Sequence, residues 1–183
     1  GDAMGRPCDF ANSDLLFAQN IGVRAFTPEQ IFVSDTPSLH LDMSRIELLS
    51  EPEIIILVGF PGSGKSTIAK HICQNDKYVH IESDVHKTTA KMFKVALPHI
   101  SDKKSIVFDA TNSSAKKRKE YIDFAKSKNY HITCVYVSTS LEISFQRNVL
   151  RSKDKQVPKI AYSVYSKHFV QPHQTEGFRL ITV

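Results

Sequence analysis

The chain has 183 residues, 41% hydrophobic and 23% charged, with a formal net charge of +5. Those proportions are those of a soluble globular protein, with room for one well-cored domain or one domain plus part of another. No apolar run approaches the ~20 residues that span a bilayer, so no membrane partner is expected, and the charge permits a polyanionic partner without requiring one.

The chain opens on Gly1-Asp2-Ala3 with informative residues at once and no initiator methionine, so a piece of a longer protein is expected. Residues 1–32 read as a folded but incomplete segment. Asn12 to Asn20 is helical, Gly22 stands just past its end, and Thr27-Pro28-Glu29-Gln30 is a helix start with a capping residue and a capping box. Residues 33–52, with Ser34, Asp35, Thr36, Pro37, Ser38 and Pro52 among scattered apolars, read as a linker. From Glu53 to Val183 strand and helix patterns alternate. Strands are expected at 53–59, 78–81, 105–109, 131–137 and 178–183. Helices are expected from the loop after the first strand to about Asn75, at 86–100, 115–128 and 141–151, and after Pro158. That order predicts an α/β fold with a mostly parallel sheet between helices, and ligands at the carboxyl ends of the strands. Cys8, Cys73 and Cys134 are far apart and lack metal-site spacing, which predicts reduced thiols in an intracellular protein.

Residues Gly59-Phe60-Pro61-Gly62-Ser63-Gly64-Lys65-Ser66-Thr67 fit GxxxxGK[ST] after a strand and before a helix. Glycines let such a loop wrap with its amides inward, so it and the helix N-terminus cradle phosphates. Lys65 is expected to reach the β- and γ-phosphates of ATP, and the Ser66 hydroxyl to ligate Mg²⁺. After the next strand comes Glu82-Ser83-Asp84. A kinase acting on an alcohol needs a carboxylate to take the hydroxyl proton. Strand alternation favours Asp84 over Glu82, but Ser83 or Asp84 equally suits a helix N-cap. Asp109-Ala110-Thr111-Asn112 follows the third strand. Asp109 suits an acidic residue holding Mg²⁺ through water, and Thr111 and Asn112 offer groups to a substrate phosphate. Turn chemistry is the competing reading for all three.

Arg147 and Arg151 are four apart in one predicted helix and so share a face. They are read as a lid clamp on phosphoryl charge, against the alternative of a solvated basic face. Lys116-Lys117-Arg118-Lys119 reads as a solvated helix surface. The eight histidines show no metal-ligand spacing and are assigned structural or surface places.

Three ordered segments carry a resemblance: Val58 to Thr67, Tyr78-Val79-His80 through Asp84, and Asp109 to Asn112. Asn148 to Arg151 and Pro172 through Glu176-Gly177-Phe178 complete it. Together they resemble the kinase domain of the bifunctional polynucleotide 3′-phosphatase/5′-kinase family of DNA end repair. Gly1-Asp2-Ala3-Met4-Gly5-Arg6-Pro7, Phe17 to Gly22 and Thr27-Pro28-Glu29 resemble the tail of that family's haloacid dehalogenase-type phosphatase domain. The resemblance implies three regions: a phosphatase remnant at 1–32, a linker at 33–52 and a P-loop kinase domain at 53–183. It implies transfer of the ATP γ-phosphate, with Mg²⁺, to the 5′-hydroxyl of nucleic-acid ends, DNA ahead of RNA, with a nuclear location in a eukaryote.

By the same resemblance Lys65 and Ser66 bind nucleotide and Asp84 is the general base. Asp109 and Thr111 are acceptor-site and metal-associated positions, Arg151 is a lid arginine, and Asp2 ligates Mg²⁺ in the phosphatase. Ser83 stands where the family commonly has Arg, Ala110 where some members have Asn, and Arg147 where some have Asn. No Asp-x-Asp pair precedes Asp2, so 3′-phosphatase activity is expected of the parent protein and not of this chain. A small-metabolite kinase and a non-catalytic ATP-binding module are the alternative functions.

Overall fold

The computed structural model describes residues 13–23 and 41–183. The chain divides into two compact units, residues 1–38 and 39–183. In the first, α1 spans Ser13–Asn20 and gives way to a turn in which Gly22 takes φ 70°. The expected helix start at Thr27 and the candidate ligand Asp2 lie outside the described residues, as do residues 33–40 of the expected linker.

The second unit is a parallel five-stranded sheet in the order β2-β3-β1-β4-β5. Its strands are β1 (Glu53–Val58), β2 (Tyr78–Glu82), β3 (Ser105–Asp109), β4 (His131–Tyr136) and β5 (Arg179–Thr182). The helices are α2 (Lys65–Ile72), α3 (Ser83–His86), α4 (Thr89–Ser101), α5 (Ala115–Ser127), α6 (Leu141–Val149) and α7 (Lys159–His168). β1 is buried along its whole length because helices cover both faces of the sheet. Alternation along it supplies two cores. Ile54, Ile56 and Val58 meet Met92 and Ala96 of α4 and Tyr121, Ile122 and Ala125 of α5. Ile55 and Leu57 meet Ile68, Ala69 and Ile72 of α2. Leu41, Met43, Ile46 and Leu48 lie against that second core. Among the described residues no helix is long and apolar enough to cross a membrane.

The amino ends of the strands are tied by a buried carboxylate. Glu53 has no exposed surface. Its Oε1 accepts from the Tyr78 hydroxyl at 2.7 Å and the Leu49 amide at 3.0 Å, and its Oε2 accepts from Thr133 Oγ1 at 2.5 Å. A buried carboxylate is tolerable only with such partners. A cleft opens at the carboxyl ends of β1, β2 and β3.

Three expectations are corrected. The helix expected at 86–100 begins at Thr89, and a separate short helix, α3, precedes it. Lys87 adopts φ 64° after α3, and Thr88 caps α4 by accepting from the Lys91 amide at 3.3 Å. The helix expected at 141–151 stops at Val149, so Arg147 and Arg151 do not share a helical face. The basic run in α5 is not wholly solvated, since Arg118 is fully buried.

Candidate active site

The loop between β1 and α2 is held from several sides. The Gly59 amide donates to Thr111 O at 3.3 Å, the Tyr162 hydroxyl to Pro61 O at 2.8 Å, and Thr139 Oγ1 to Ser63 O at 2.9 Å. Gly62 has φ 81°, and a Cβ there would lie 2.3 Å from Ser144 O, so only glycine fits. Gly64 is the N-cap of α2 with φ 109° and gives no side-chain cap. The positive end of the helix dipole therefore stays available to an anion.

This loop forms one wall of a cleft of about 550 Å³. Pro61, Gly62, Lys65 and Ser66 line it from the loop, and Glu82, Ser83 and Asp84 from the end of β2. Asp109, Ala110, Thr111 and Ser113 line it from the end of β3, and Arg151 from beyond α6. Val157, Ala161, Val164 and Tyr165 form the opposite, mostly apolar wall.

Lys65 is nearly buried, and its Nζ donates to Gly59 O at 3.0 Å and Phe60 O at 2.6 Å. Burial lowers its pKa to about 8, opposed by the charges of Asp109 and Asp84 and reinforced by that of Arg151. Asp109 is 7% exposed. Burial works against its charge, but hydrogen bonds from His80 and Ser66 and the Lys65 ammonium outweigh it, holding the carboxyl below its usual range. The Ser66 hydroxyl beside the Asp109 carboxylate is a pair of hard oxygen donors, which suits Mg²⁺.

Asp84 is exposed on α3 and lines the cleft. The capping alternative falls away, because Glu82 is the N-cap residue of α3 and Thr88 that of α4. Thr111 and Arg151 also line the cleft. Two expected substrate contacts do not. Asn112 is buried with φ 45°, and its Nδ2 donates to Leu57 O at 2.9 Å, bracing β1. Arg147 turns its Nη1 to Ser63 O at 3.5 Å, behind the loop. Gly59, Ser63 and Gly64 belong to the loop, and Thr67 lies in the first turn of α2.

Sequence reading passed over Tyr162, Tyr165 and His80. The two tyrosines are three apart on α7, and the Tyr165 ring lies tilted against Phe60 of the loop, centroids 4.3 Å apart. Their i, i+3 spacing was the available signal. His80 Nε2 lies 3.3 Å from Asp109 Oδ2, and its Nδ1 3.4 Å from Glu82 Oε1. That cluster spans two strands, so spacing along the chain does not reveal it.

Residues 1–32 match the model described as Polynucleotide kinase 3 phosphatase. Over 97% of its length the chain is 35% identical to the bifunctional polynucleotide phosphatase/kinase of Schizosaccharomyces pombe. Over 93% it is 33% identical to a protein of Acanthamoeba polyphaga mimivirus that carries the same name provisionally. It covers 48% and 47% of those two proteins, so it spans about half the length of each. The fold is shared with Kti12 of Chaetomium thermophilum, solved with ADP-AlF3 (TM-score 0.56, 15% identity, 71% of this chain and 88% of that one). It is shared as well with a gluconokinase of Sinorhizobium meliloti 1021 (TM-score 0.53, 17% identity, 72% and 82%). Residues 54–172, well over half the chain, match the model described as AAA domain, and the chain belongs to that family.

Proposed function

We propose that this chain is an ATP-dependent polynucleotide 5′-hydroxyl kinase. One observation carries the reading: a single cleft is lined both by the phosphate-loop residues Lys65 and Ser66 and by the Asp84 carboxylate. The names of the two relatives supply the acceptor, a polynucleotide.

In this reading the triphosphate lies along the loop amides and the N-terminus of α2. The 5′-hydroxyl enters from the side of Asp84, which accepts its proton as the oxygen attacks the γ-phosphorus. The bond from that phosphorus to the ADP oxygen breaks, and ADP leaves. Lys65 and Arg151, both lining the cleft, stabilise the charge on the transferring group. Ser66 and Asp109 would hold Mg²⁺, which when bound neutralises phosphate charge. Thr111 faces the acceptor, and DNA ends are preferred to RNA, as in strand-break repair. Residues 53–183 form the kinase domain, joined through 33–52 to residues 1–32. Those first residues, with Asp2, belong to a 3′-phosphatase activity of the whole protein, as the relatives' name suggests.

The test is incubation with γ-labelled ATP, Mg²⁺ and a 5′-hydroxyl oligonucleotide, in competition with free nucleosides and sugars. Label on the strand is expected, with affinity for the strand falling steeply as salt rises. Label on a free metabolite in preference to the strand overturns the acceptor. No label on any acceptor overturns the kinase.

A further inference from the structure

The end of β2 carries two groups that the phosphoryl-transfer reading does not use. His80 and Glu82 are two residues apart on the strand and so project from one face of the sheet. Glu82 is in register with Asp109 of β3. The three side chains each offer a ligand atom, and these atoms all lie within 4.8 Å of one another. Donors carried on paired strands are held more precisely than donors on loops.

The distances say more than proximity. Charge-assisted hydrogen bonds between such groups close to ~2.7–2.9 Å. Here Nε2 to Asp109 Oδ2 is 3.3 Å and Nδ1 to Glu82 Oε1 is 3.4 Å. Ligand atoms ~2.0–2.1 Å from a tetrahedral zinc ion are separated from each other by about 3.3–3.4 Å. The Nε2–Oδ2 pair, hydrogen-bonded to each other, also stands at the spacing of two ligands on one ion. On the far side of the ring, Glu82 Oε1 stands 3.4 Å from Nδ1, placed to accept Nδ1–H once an ion takes the Nε2 lone pair in place of its proton. A carboxylate behind a ligating imidazole is the usual support of a histidine–metal bond.

We propose that His80 Nε2 and Asp109 Oδ2 bind a transition-metal dication of the zinc or cobalt class, with Glu82 orienting the imidazole. Solvent and the neighbouring Ser66 hydroxyl complete the coordination. Imidazole selects such ions over Mg²⁺, which takes hard oxygen donors. The site thus shares Ser66 and Asp109 with the oxygen pair assigned to Mg²⁺ and differs from it by the imidazole nitrogen. One consequence rests on the kinase reading: zinc at this position antagonises Mg²⁺-dependent transfer.

The binding itself is tested without nucleotide, so its failure leaves the kinase reading standing. Cobalt(II) is titrated into the full chain and followed by visible absorption, and zinc is measured against a chromophoric chelator. One equivalent per chain is expected, with the absorption band of a nitrogen-ligated ion. His80→Gln should weaken binding at least 100-fold, and Glu82→Gln about 10- to 100-fold. Equal cobalt spectra and zinc affinities in wild type and His80→Gln overturn the proposal. Should His80→Gln fail to fold, ¹⁵N spectra of the wild-type imidazoles decide. The His80 Nε2 resonance must move on adding zinc, and a response confined to other histidines overturns the site.

Discussion

Arg118 and Glu176, 58 residues apart in sequence, meet as a two-pronged ion pair inside the protein. Nε donates to Oε2 at 2.9 Å and Nη2 to Oε1 at 2.7 Å, with the guanidinium fully buried. The remaining nitrogen, Nη1, donates to Asn112 O and Ser113 O, each at 3.2 Å, and to Val170 O at 2.9 Å. One side chain thus joins the loop after β3, which carries Thr111, to the segment leading into β5. Only a guanidinium has enough donors in a plane to satisfy a carboxylate and three carbonyls together.

Removing Arg118 leaves the Glu176 carboxylate, only 17% exposed, without its guanidinium and with the His173 amide as its remaining donor. Arg118→Met should lower stability by about 3–5 kcal/mol, read as a fall in the urea midpoint. Arg118→Lys should recover little of it, because an ammonium cannot reproduce the fork.

Lys65 titrates near pH 8, below its ordinary value of 10.5. Its charge therefore opposes folding below pH 8. Between pH 8 and 10.5 the unfolded chain keeps a proton that the folded chain has lost, so stability contributed by this group rises with pH. Lys65→Met should be more stable than wild type at pH 7, by on the order of 3 kcal/mol at most, and this advantage should vanish near pH 10. The same deprotonation predicts that the KM for ATP rises as pH passes 8.

Asp84 lines the cleft from an exposed position on α3. Asp84→Asn should leave ATP affinity unchanged and lower kcat for a 5′-hydroxyl oligonucleotide by roughly 10²- to 10⁴-fold. Equal turnover in mutant and wild type would remove the general-base role.

The two arginines are separable. Arg151 lines the cleft, whereas Arg147 contacts Ser63 O behind the loop. Arg151→Ala should lower kcat by about 10²- to 10³-fold. Arg147→Ala should change kcat by less than about tenfold and act mainly on the KM for ATP, through the Ser63 carbonyl.

Gly62→Ala places a methyl group 2.3 Å from the Ser144 carbonyl at φ 81°. The backbone must move. A stability loss of about 1–3 kcal/mol is expected in thermal or urea unfolding, together with loss of nucleotide binding in a titration.

Local rules were enough for much of this protein. The unbroken apolar run of Ile54 to Val58 predicts a buried strand, and Gly62, Gly64 and Lys65 announce a phosphate loop, because each signal lies within a few consecutive residues. The same rules erred where two readings fit the same residues. Asp84 reads equally as cap and as site residue, whereas Glu82 is the residue found at the N-cap of α3. Arg151 looks helical until the helix is found to stop at Val149. Asn112 looks like a substrate contact until its amide is found bonded to Leu57 O.

From the sequence alone came the order of strands and helices, the phosphate-loop chemistry and the carboxylates standing after β2 and β3, because each is set by short-range periodicity and spacing. Tertiary structure alone decided that Arg118, inside a run of lysines, is buried and paired with Glu176, and that His80 faces Asp109 across two strands. Those pairings depend on which strands lie side by side and where loops return. Such choices are made by burial summed over the whole core, and no window of neighbouring residues contains them.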